Sequence, residues 1–69
     1  MQEKQYQLFC RSGQEADQIR ETFRAVSAPT IQVSTRVVVS DAGLSSAMQS
    51  FFNLLLSQLC ESIRIERLK

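Results

Sequence analysis

Cys10-Arg11-Ser12-Gly13 is the stretch of this 69-residue chain whose residue types could do covalent chemistry. Residues 4–11 alternate in character. Tyr6, Leu8 and Cys10 share one side of a strand, and Gln5, Gln7, Phe9 and Arg11 the other. A helix follows at once. Ser12-Gly13-Gln14-Glu15 fits a capping box, in which the Ser12 hydroxyl accepts from the Glu15 amide and the Glu15 carboxylate from the Ser12 amide. A thiol at that junction faces the amides that open a helix. Such a setting binds anions and lowers a cysteine pKa.

The string CRSG, with Leu8-Phe9 before it and a helix after it, resembles the active-site loop of rhodanese-like sulfurtransferases over about ten residues. The resemblance implies Cys10 as a sulfur-carrying nucleophile and Arg11 to Glu15 as its loop. Two departures separate the chain from that family. The family usually carries a basic residue where Glu15 stands, and a carboxylate there repels a thiolate. It also places several strands and helices ahead of the loop, whereas nine residues precede Cys10 here. The expectation is therefore that Cys10 closes the inward face of a strand, that Ser12 caps a helix, and that the chain is not an enzyme. A thiol enzyme or sulfur carrier using Cys10 is the alternative.

Composition narrows the remaining chemistry. There is no histidine, and two cysteines cannot build a four-thiolate zinc site, so neither metal nor cofactor is expected. The formal charge is +1. Arg20, Arg24, Arg36, Arg64 and Arg67 are interleaved with Glu3, Glu15, Asp17, Glu21, Glu61 and Glu66. Only Tyr6 and Phe9 are placed to stack on bases, so nucleic acid is not favoured as a partner, and weak nucleic-acid binding stands as the second alternative. The N-terminus is polar and lacks an apolar leader segment. No apolar run is longer than Leu54-Leu55-Leu56, which is too short for a membrane span. A cytoplasmic location and two free, buried thiols are the corresponding expectations.

The elements that must position these residues follow from periodicity. A helix runs from Ser12 to about Val26, with Ala16, Ile19, Phe23 and Val26 as a narrow apolar stripe. Pro29 reads as its terminator. Thr30 to Ser40 reads as one long strand: Ile31, Val33, Thr35, Val37 and Val39 share a face, and no glycine or Asn-Gly splits it. Asp41-Ala42-Gly43 turns into a second helix, Leu44 to Ile63, with Asp41, Ser45 or Ser46 as its cap; Ser46 with Gln49 fits another capping box. The tail has two readings. Ile63 and Ile65 alternate with Arg64 and Glu66 as a short third strand does, while Leu59, Ile63 and Glu66 also continue the helix. The strand is preferred because the fold needs a third one. The fold class is α/β, with α+β the alternative. It is a single small two-layer β-α-β-α(-β) domain over residues 1–69, a short sheet with two helices on one face. Helix crossovers would make its strands parallel.

The second helix is apolar over an unusually wide arc. At about 100° per residue, Met48, Phe51, Phe52, Leu55, Leu59 and Ile63 fall within roughly 120°. Leu54 widens the arc on one side, and Leu56 and Cys60 on the other, to roughly 240°. From Ser27 to Cys60 the only charged residues are Arg36 and Asp41. A chain this short is marginal alone, and a partner is the stabiliser its composition leaves open. The sequence thus points to a small protein–protein interaction or assembly module, an adaptor or inhibitor subunit by size. It would be a homodimer that also binds another protein. Phe52, Leu54, Leu56 and Cys60 are the candidate interface, together with the edge of the 30–40 strand. Met48, Phe51, Leu55 and Leu59 are assigned to the chain's own core.

Overall fold

A computed structural model describes residues 3–68 of the chain. Six elements follow one another: β1 (Gln5–Phe9), α1 (Gly13–Ala25), β2 (Thr30–Val33), β3 (Arg36–Ser40), α2 (Ser46–Leu59) and β4 (Arg64–Arg67). The strands form one sheet in the order β2-β3-β1-β4, antiparallel at every pairing. The mixed α/β class and the two helices on one face agree with the sequence. The order β-α-β-β-α-β with this strand arrangement is the split β-α-β topology of ferredoxin-like domains, a scaffold that serves many unrelated functions.

The expected long strand is a hairpin. Val33 pairs with Arg36 across a two-residue turn, Ser34-Thr35, in which Ser34 sits at φ 59°. A positive φ at the first turn position suits the right-handed twist of paired strands, and serine occupies it without glycine's freedom. The hairpin corrects the expected parallel sheet. β1 and β2 still run in the same direction, as a helix crossover requires, but β3 lies between them.

The turn also reverses which face each apolar residue occupies. Paired residues in an antiparallel ladder share a face. Val37 and Val39 are buried under the helices, so their partners Gln32 and Thr30 point inward as well. Ile31 and Val33 then point to the opposite face, where they are 65% and 66% exposed.

Helix α1 begins as the sequence implies. Ser12 is the N-cap, and its hydroxyl accepts from the Glu15 amide at 3.1 Å. Its stripe of Ala16, Ile19 and Phe23 is buried. It ends in a Schellman pair, Ala28 N–H to Phe23 C=O and Ser27 N–H to Arg24 C=O, with Ser27 at φ 66°. The stop therefore precedes Pro29 and owes more to Ser27 than to the proline.

Helix α2 is shorter than the apolar stretch suggested. Ser45 is its cap, accepting from the Met48 amide, while the Gln49 side chain donates to Asn53 instead of closing a capping box. Phe52 is its buried residue. The Phe52 ring meets Phe23 edge-on at 5.4 Å and Tyr6 at 6.0 Å. Leu8, Val37 and Val39 from the sheet complete the centre of the core. The tail is a strand, with β4 pairing along β1 from Phe9–Arg64 to Tyr6–Arg67.

Phe52→Ala removes a wholly buried ring and should cost about 3–5 kcal/mol of unfolding free energy. Phe51→Ala, next to it but half exposed, should cost less than half as much. Urea titrations of the two variants compare these values, and equal losses would contradict this placement of the core.

Candidate functional site

The Cys10 junction is built as a structural corner. Cys10 is buried, and its N–H donates to the Thr35 carbonyl at 2.9 Å, tying the end of β1 to the hairpin turn. Glu15 does not reach the Ser12 amide. Its carboxylate accepts from the Arg11 amide at 2.8 Å and pairs with the Arg11 guanidinium at 3.0 Å. The effect on the thiol opposes nucleophilic chemistry. Burial, and secondarily the nearby Glu15 charge, raise the Cys10 pKa above its ordinary 9.0. A thiol held in its protonated form is a poor nucleophile at neutral pH. The Arg11 hydrogen bonds hold the Glu15 carboxyl below its ordinary 4.5.

Cys60 is the other thiol. Both cysteines are free, but Cys60 is exposed at the end of α2, which corrects the expectation of two buried thiols. Among the described residues no group of three or more histidine, cysteine or carboxylate side chains could hold a metal. Among the described residues no helix is long and apolar enough to cross a membrane.

Arg20, Arg24, Arg36, Arg64 and Arg67 do not gather at one site. Arg20 and Arg24 lie on α1 and both approach Glu21, at 3.4 Å and 3.6 Å. Arg36 and Arg64 are on the helix-free face of the sheet, flanking Phe9 at 5.4 Å and 5.3 Å from its ring centre. Arg64 is also paired with Glu66. Arg67 is on the helix-covered face, opposite Tyr6 in the β1–β4 ladder.

Candidate interface residues separate into three environments. Phe52 is in the core, not on an outer flank. Leu54 is 53% exposed, and Phe51, assigned to the core by periodicity, is 52% exposed beside it. Leu56 is half-buried and, with Asn53, Ser57 and Cys60, lines one wall of a groove between α2 and β4. Tyr6, Ile65 and Arg67 form the other wall, and the groove holds about 410 Å³. It meets, at Asn53, an open depression of about 750 Å³ by the N-terminus of α2, bordered by Lys4, Asp41, Ser45 and Gln49. The Asp41 carboxylate there is already engaged by the Lys4 amide at 2.7 Å.

The buried centre of α2 is thus rotated from the expected one: it runs through Phe52, leaving Phe51 and Leu54 in water on one flank and Cys60 on the other. Ile31 and Val33 were the exposed residues the sequence hid. The signal available for them was length, since an eleven-residue strand is about twice the usual size and invites a turn. The edge strand is β2 (Thr30–Val33), and β4 is the opposite edge. No family model, curated protein or solved structure matches the chain.

Iodoacetamide at neutral pH should label exposed Cys60 first and Cys10 about tenfold or more slowly, because Cys10 is buried and its pKa is raised. Glu15→Gln should bring the Cys10 pKa down part of the way, leaving the burial contribution; an unchanged value would remove Glu15 as a cause. The same variant tests the Arg11 pair. A carboxyl whose pKa is lowered by folding contributes stability above its ordinary pKa and loses it as pH falls through the lowered one. Urea titrations should find Glu15→Gln less stable than wild type at pH 7, with the gap closing as pH drops below about 4.5.

Proposed function

We propose that the chain is a non-enzymatic interaction and assembly module, working as a homodimer and presenting its remaining apolar surface to another protein. The observation that carries this reading is the outward position of Ile31, Val33, Phe51 and Leu54, each more than half exposed. Four large apolar side chains in water are many for 69 residues. They form two pairs on different elements, β2 and α2, instead of standing singly, and clustered apolar exposure marks contact surfaces. Among the described residues both sheet edges are open as well, and an open edge is a template for another strand. The α2 flank at Leu56 and Cys60 adjoins one of those edges, so self-association there covers helix and strand together. The raised Cys10 pKa speaks against the thiol-enzyme alternative.

Light scattering at tens to hundreds of micromolar should give a mass twice the 7.8 kDa of one chain. Leu56→Glu should give a folded monomer, with circular dichroism unchanged. A wild type that stays monomeric throughout, or a Leu56→Glu variant that stays dimeric, would overturn this assignment.

A further inference from the structure

We infer that the seam of the dimer is β4 against β4 of a second copy, antiparallel and centred on Ile65. This inference rests on the homodimer reading above and names the edge and register it uses.

Backbone polarity comes first. The Leu68 N–H donates to the Gln5 carbonyl at 2.7 Å, so Gln5–Leu68 is a hydrogen-bonded pair. Such pairs alternate along an antiparallel ladder. Gln7–Glu66 and Phe9–Arg64 are therefore hydrogen-bonded too, and Ile65, between them, turns its N–H and C=O away from β1 towards the open edge. A second copy of Ile65 across a two-fold axis exchanges both hydrogen bonds with it, as a symmetric contact requires.

Charge then selects the register. Centring on Ile65 places Arg64 opposite the second copy's Glu66, and Glu66 opposite its Arg64. All four are on the helix-free face, where each Arg64 is already paired with the Glu66 of its own strand. Two opposite-charge pairs across the seam are favourable, and like charges directly opposite are not. A shift of two residues centres the axis on Glu66 and sets two carboxylates face to face. A shift of one residue would oppose residues from different faces. The Thr30–Val33 edge has no charged residue, so no charge pairing there selects a register.

On the other face, the two Ile65 side chains meet at the axis, with β carbons about 5 Å apart. They close the end of the groove walled by Tyr6, Leu56 and Cys60. The α2 flanks of the two copies then border the same seam. The edge at β2, with Ile31 and Val33, is left for a different protein.

The test is charge exchange at exposed positions. Arg64→Glu alone and Glu66→Arg alone each turn both cross-seam pairs into repulsions. Each should raise the dimer dissociation constant about tenfold or more, by light scattering or analytical ultracentrifugation. Arg64→Glu with Glu66→Arg in one chain restores two attractive pairs and should return the dissociation constant to within about threefold of wild type. Circular dichroism checks that each variant is folded, and Glu66→Arg leaves the Phe9–Arg64 contact in place should Arg64→Glu prove unstable. Single variants as dimeric as wild type, or a double variant no tighter than the singles, would overturn the β4 seam. If Leu56→Glu still dissociated the dimer in that case, the assembly reading would stand without this register. A monomeric wild type would overturn both.

Discussion

The reversal at Ser34-Thr35 is the constraint on which the rest of the structure depends. One tight turn converts an eleven-residue run into two strands and inserts β3 between β1 and β2. Every strand pairing becomes antiparallel as a result, and β1 moves to the interior of the sheet. Its Cys10 end is tied to the turn itself through the Thr35 carbonyl. The same reversal assigns the faces. Val37 and Val39 go under the helices while Ile31 and Val33 go to the other side, so the greasiness of the edge is a consequence of turn geometry.

The second determinant is how little of α2 its own sheet can use. Phe52 is out of water between Phe23 and Tyr6, and Met48, Leu55, Leu56 and Leu59 are partly covered. The remainder of the apolar arc projects on both flanks. The β1–α1 corner holds the buried thiol, Cys10. Burial and the Glu15 charge favour the protonated thiol, and Arg11 is occupied by the carboxylate that would otherwise crowd it.

Much of this architecture was legible in the residues. The alternation of Tyr6, Leu8 and Cys10, the Ser12 cap, and the stripe of Ala16, Ile19 and Phe23 translate directly into β1 and α1, because each depends on neighbours in sequence. The existence of α2 was legible for the same reason, whereas the tail read as either strand or continued helix, and pairing with β1 decided it. The hairpin was not. Val-Ser-Thr-Arg contains neither glycine nor asparagine, and Ser34 adopts its positive φ under the demand of strand pairing instead of local preference. The orientation of α2 was off by part of a turn because an arc near 240° has no unique centre; packing against Phe23 chose Phe52. Leu54 could be placed in water from the wheel alone, whereas Phe51 could not, since its exposure follows from that rotation.

A helix whose wholly buried contact is one ring has little to hold it against its sheet. α1 sends three residues into the core, whereas α2 sends Phe52. Opening α2 therefore breaks one aromatic cluster and a rim of half-covered leucines, while the β2-β3-β1-β4 ladder and α1 stay paired. The free energy of that opening should lie below the global value, with amide protons of α2 exchanging with solvent ahead of those in β1. The transiently bared sheet would show Tyr6, Leu8 and Val39 to its surroundings. Anything that clamps the flank of α2 slows this breathing, so occupancy of that flank and the local lifetime of the fold are thermodynamically linked.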